Sequence, residues 1–127
     1  MVFLCEPTII AQGKRWAVGY FSTETGAVWD ELTTEVQSKF QAKFDMLAQD
    51  GYLRDPMMKK IGKFKVWEVE LKGRRTGSQR AYCVKTNNQW LVTHFGETDH
   101  SKRQTQTAAE RAERIFAEYR EFLNEAK

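Results

Sequence analysis

The sequence predicts an α+β fold: an N-terminal strand, a helical hairpin, a three-stranded antiparallel meander and a C-terminal helix, with the strands in one sheet and the helices packed on one of its faces. Three observations predict it. Residues 14–21 (KRWAVGYF) alternate with the period of a strand, Val36, Phe40, Phe44 and Leu47 recur with the period of a helix, and short alternating runs crowd between residues 64 and 95.

The first strand sets Trp16, Val18 and Tyr20 on one face and Ala17, Gly19 and Phe21 on the other. Residues 22–26 (STETG) read as a turn, and helical spacing follows over Val28–Leu32 and Thr34–Gln49. Thr33 or Thr34 is a fitting N-cap for the second helix, and Asp50-Gly51 its stop. Asp55-Pro56 breaks the chain again. From Phe64 to Lys72, Lys65, Trp67, Val69 and Leu71 then form a mostly apolar face opposite a charged face that carries Glu68 and Glu70. Residues 73–79 (GRRTGSQ) form a loop. Arg80–Thr86 and Gln89–Phe95 are two more strands joined across Asn87-Asn88, a pair suited to a tight hairpin because Asn tolerates positive φ. Thr107 and Glu110 have the spacing of a capping box, and Ala112, Ile115, Phe116, Tyr119, Phe122 and Leu123 line one side of the helix it opens. The helix at Val36 covers the apolar side of the sheet, which leaves the charged side for function.

Composition narrows the classes. A chain of 127 residues is expected to form a single domain over 1–127, with residues 1–14 as an N-terminal extension, and 41% hydrophobic residues exclude wholesale disorder. Cys5 and Cys83 lie in unrelated contexts, so neither a disulfide framework nor a thiolate zinc site has support, and a reducing, cytoplasmic setting is expected. No long apolar run signals a leader peptide or a membrane span.

The net charge of +3 conceals a strong local excess. Residues 54–85 hold Arg54, Lys59, Lys60, Lys63, Lys65, Lys72, Arg74, Arg75, Arg80 and Lys85 against only Asp55, Glu68 and Glu70, whereas acids outnumber bases on either side. Such a segment repels itself unless it faces solvent or a polyanion, and its arginines suit bidentate contact with phosphate. A solubilising surface that blunts sheet edges is the alternative.

Taken in order, several residues resemble a known family. A helical hairpin ending in Gly precedes Pro56 with Lys59 and Lys60, and Trp67-Glu68 follows on a strand. Arg80 opens the next strand, another ends at His94-Phe95, and Lys102-Arg103 lead into a helix at Thr107. This series resembles the RelE/HigB superfamily of bacterial toxins over residues 15–123, the phage-derived HigB-like branch most closely. Residues 96–101 (GETDHS) depart from the pattern by lengthening the approach to Lys102 and adding two acids. The resemblance implies a RelE-like fold and a ribosome-dependent endoribonuclease that cuts mRNA without metal or cofactor. In such enzymes the ribose 2′-hydroxyl attacks the adjacent phosphate, leaving a cyclic phosphate and a 5′-hydroxyl. The implied partners are the ribosome, mRNA and a cognate DNA-binding antitoxin, and no membrane.

In-line attack requires removal of a proton from the 2′-oxygen, neutralisation of charge on the phosphate and protonation of the leaving 5′-oxygen. Arg80 is the candidate phosphate clamp. His94, with an ordinary pKa near ~6.5, is either the proton carrier or a strand histidine bonded at the core edge. Lys60 and Tyr82 complete the expected catalytic set, and Tyr82 is alternatively core or a ring on which a base stacks. Lys59, Lys72, Arg74, Arg75, Lys102 and Arg103 are expected along the RNA backbone, or else on a solvated surface. Glu68 either orients an arginine or acts as a base, with an ion pair to Arg80 or Lys85 as the plain alternative. His100 lies in a polar loop and is expected to be solvated. Two other functions fit the same residues: a non-catalytic module that binds RNA or DNA, and a gyrase inhibitor on the same fold.

Overall fold

A computed structural model of the protein describes residues 3–54, 57–71, 79–97 and 102–125. Within them lie β1 (Leu4–Gln12), β2 (Ala17–Ser22), α1 (Thr23–Glu31), α2 (Thr34–Asp50), β3 (Met58–Lys60), β4 (Trp67–Leu71), β5 (Gln79–Lys85), β6 (Gln89–Glu97) and α3 (Lys102–Glu125). The six strands form one mixed sheet in the order β1-β2-β6-β5-β4-β3. β2 runs parallel to β6, and every other neighbouring pair is antiparallel.

The sheet is wider than the sequence indicates. β1 occupies residues read as an extension, and it accommodates Pro7 because it is an edge strand whose register shifts between Leu4 and Thr8. β3 carries Lys59 and Lys60 on the opposite edge, so these lysines belong to a strand that the sequence reading does not include. The STETG segment is helical from Thr23. Ser22 caps it by accepting a hydrogen bond from the Thr25 amide, so its polar residues serve a helix start where a turn was expected. α2 matches its apolar stripe, with Phe40, Phe44, Leu47 and Ala48 buried, Thr33 as N-cap and Gly51 as a left-handed C-cap at φ 80°.

Both faces of the sheet are covered. Phe40, Phe44 and Leu47 of α2 pack with Trp29 of α1 against Val18, Val69, Ala81, Cys83, Trp90 and Val92. On the other face Ala109, Ala112, Ile115 and Tyr119 of α3 pack against Phe21, Val66, Tyr82, Val84 and Leu91. The expectation that the helices share one face is therefore corrected. An amphipathic helix has to bury its stripe, and with α2 on one side the uncovered side was the one available to α3. α3 also starts at Lys102, so Thr107 lies within the helix and does not cap it. Among the described residues no helix is long and apolar enough to cross a membrane.

Candidate functional site

The side of β4, β5 and β6 that faces α3 carries polar residues where a core would be apolar. Cross-strand pairing sets Lys59 opposite Glu68, Glu68 opposite Tyr82 and Tyr82 opposite His94, giving one transverse row over four strands. In the neighbouring row Glu70 faces Arg80, and Arg80 faces Gly96.

A β-bulge brings His94 into this row. In simple alternation His94 would share a face with Trp90 and Val92. The β5–β6 register shifts between Tyr82 and Cys83, so Tyr82 pairs with His94 while Cys83 pairs with Val92, and Thr93 is the extra residue. His94 is thereby turned towards Tyr82, and Phe95 turns to the opposite side, where it packs edge-on to Phe40 at 5.4 Å.

The site is buried. Arg80 is 8% exposed and His94 7%. The Arg80 guanidinium is ion-paired to Glu70, and its Nε lies 3.7 Å from Glu68 Oε1. Its Nε and Nη1 make no hydrogen bond among the described residues, Nε having only the longer ion-pair contact to Glu68 and Nη1 lying on the other side of the guanidinium. The ion pair of Arg80 with Glu68 matches the plain reading of Glu68. Glu70, which sequence reasoning passed over, is the closer partner, and the signal that finds it is its place directly opposite Arg80 in the ladder.

Tyr82 and His94 stack at 4.7 Å between centroids. Gly96 makes room for this, since a Cβ at residue 96 would lie 2.7 Å from the Tyr82 ring. Burial, with the Glu68 carboxylate adding to it, pushes the Tyr82 phenol up to about 12. Burial, with the positive charge of Arg111 on α3 adding to it, lowers His94 to about 3. His94 is therefore neutral at pH 7, which corrects the expectation of an imidazole titrating near neutrality. Thr93 Oγ1 donates its single proton to the Tyr82 carbonyl at 3.1 Å and lies 3.1 Å from His94 Nδ1. Nδ1 then carries the imidazole proton as a donor to Thr93, and Nε2 keeps its lone pair.

Of the expected catalytic set, Arg80, Tyr82 and His94 converge and Lys60 does not. Lys60 pairs with Trp67, on the α2 side, with its Nζ 5.9 Å from the Trp67 ring centroid. Lys59, expected only to grip backbone, is the exposed end of the row instead. The charged side of the sheet is not left open, because α3 lies over it. Lys72, Arg74, Arg75 and His100 lie outside the described residues. Lys102 and Arg103 form the first turn of α3 and do not precede it, and their side chains are outside the described set.

The family model for phage-derived protein Gp49-like (DUF891) matches residues 27–118, a span that runs from α1 into α3 and includes every member of both rows. No curated protein and no solved structure matches the chain.

Proposed function

The chain belongs to the Gp49-like family of phage-derived proteins, a RelE/HigB-like toxin family associated with toxin–antitoxin pairs, and from that premise we propose that it is a toxin that cleaves RNA by attack of the 2′-hydroxyl on the adjacent phosphate. The observation that supports this reading is the convergence of Lys59, Glu68, Tyr82 and His94 in one row beside Arg80, which depends on a bulge that takes His94 out of its natural alternation. Bulges that re-aim side chains are characteristic of active sites.

The proposed roles follow from charge and access. Arg80 neutralises the phosphate through Nη1, which makes no hydrogen bond among the described residues, with the guanidinium held rigid by Glu70 and Glu68. A histidine near pKa 3 supplies no proton at neutral pH, so His94 acts as a positioning residue that fixes the Tyr82 ring. In this scheme the carboxylate of Glu68 accepts the 2′ proton, and the exposed ammonium of Lys59 donates to the leaving 5′-oxygen. Messenger RNA on the ribosome is the proposed target, and an antitoxin that neutralises the basic segment is the proposed partner. The expected setting is the cytoplasm.

The test is induced expression with mapping of 5′ ends on cellular messages. New 5′-hydroxyl ends together with growth arrest support cleavage. Arrest without new ends rejects it in favour of a second reading, a binding module that cuts nothing. The specific observation behind that second reading is that Arg80 already lies between two carboxylates under α3.

A further inference from the structure

A second positively charged cleft lies at the other end of β5, about 17 Å from Arg80 at the rise of an extended strand. It is an open cleft of about 520 Å³ between the end of the β5–β6 hairpin and the outer side of α3. Lys65, Lys85 and Arg120 line it against the single acid Glu113, together with the aromatic residues Trp67 and Phe116.

One of its cations is held in place by a ring on the α3 side: the Arg120 guanidinium lies 6.0 Å from the Phe116 ring, whereas Lys85 Nζ stands over Trp16 and Trp90 on the α2 side. A cation already ordered in this way loses little freedom when an anion binds. Trp67 is half-buried, braced edge-on by Trp90 at 5.1 Å, and still borders the cleft. Excess positive charge beside aromatic surface is the chemistry that holds a single-stranded nucleotide, the phosphate by the cations and the base by stacking.

We propose that this cleft binds one nucleotide of a single-stranded RNA, apart from the row that contains His94, and so helps to set how the strand lies along the protein. This inference rests on the reading of RNA as the target, and it adds a binding site that the proposed reaction does not use.

The experiment measures binding of a fluorescently labelled RNA hexanucleotide to the full chain by anisotropy over a series of salt concentrations. Lys65→Ala/Arg120→Ala removes two exposed cations of the cleft, and Lys14→Ala/Lys39→Ala removes two exposed cations elsewhere. The cleft variant is expected to bind at least about tenfold more weakly than the control variant, with a salt slope shallower by about 1. Glu113→Gln is expected to tighten binding, since it removes the one opposing charge. Equal affinities for the cleft and control variants overturn the cleft while leaving the RNA reading intact. Failure of the unaltered protein to bind the hexanucleotide overturns both.

Discussion

The His94 imidazole lies flat on the Tyr82 ring, centroids 4.7 Å apart and planes 18° from parallel, and the two residues face each other across a bulge whose extra residue is Thr93. The stack fixes the imidazole away from water, and that has a thermodynamic consequence. The folded state holds His94 near pKa 3, and the unfolded chain returns it to about 6.5. Between these values the unfolded chain binds a proton that the folded one does not. The stabilisation is therefore complete above pH 6.5 and is lost progressively as pH falls towards 3.

Urea unfolding at pH 7 and pH 5 is accordingly expected to show a loss of about 2 kcal/mol attributable to this one group. In His94→Gln that increment disappears, because Gln does not titrate. An unchanged pH dependence in the variant would show that His94 is not the buried neutral group described.

Arg80→Ala is expected to be costly for the fold itself. Removing the guanidinium leaves the buried Glu68 and the partly buried Glu70 beside each other without their cation, and breaking a buried pair in this way costs about 3–5 kcal/mol. Loss of toxicity in that variant therefore does not identify a catalytic role, and Arg80→Lys is the sharper probe. Lysine keeps the charge but loses the planar fork, so RNA cleavage is expected to fall about 10²-fold while urea unfolding stays cooperative. Full toxicity of a folded Arg80→Lys protein rules out the clamp.

The two lysines of β3 are expected to differ. Lys59 ends the row that runs through Glu68, Tyr82 and His94, whereas Lys60 lies beside Trp67 on the α2 side. Lys59→Ala is expected to raise the level of inducer needed for growth arrest severalfold, and Lys60→Ala to leave it nearly unchanged. The reverse order would return Lys60 to the site.

Gly51→Ala is expected to destabilise the chain without touching the row. Gly51 caps α2 at φ 80°, its carbonyl accepts from Trp90 Nε1 at 2.9 Å, and a Cβ there would lie 2.5 Å from Trp16 Nε1. The left-handed backbone alone costs an alanine roughly 1–2 kcal/mol. Thermal unfolding is expected to move down by several degrees, and an unchanged midpoint would contradict the cap.

What the sequence makes legible here is periodicity. Phe40, Phe44 and Leu47 specify α2 because one stripe has one way to be buried, and the alternation around Val69 and Ala81 specifies strands for the same reason. Alternation does not state what covers a face. Glu68 and Glu70 look like a solvated edge in sequence, yet Glu68 is buried and Glu70 partly buried, on the side of the sheet over which α3, starting five residues before its capping-box signal, packs. The bulge at Thr93 is hidden for a related reason: one inserted residue leaves composition unchanged yet reverses the facing of His94. β1 and β3 escaped detection because Pro7 interrupts the first and the second is only three residues long.

The parallel pairing of β2 with β6 governs when the protein can come into being. Ala17 finds its partner only at Gln89, so the centre of the sheet closes around both helices of the hairpin and three intervening strands. Long-range closures of this kind are late events in folding. On a translating ribosome β4 and β5 can pair early, but the half of the sheet made from β1 and β2 has no neighbour until residue 97 has emerged, and α3 has to follow before the second face is closed. A nascent chain thus stays unassembled, and the row that needs β6 for His94 incomplete, until β6 and then α3 have emerged.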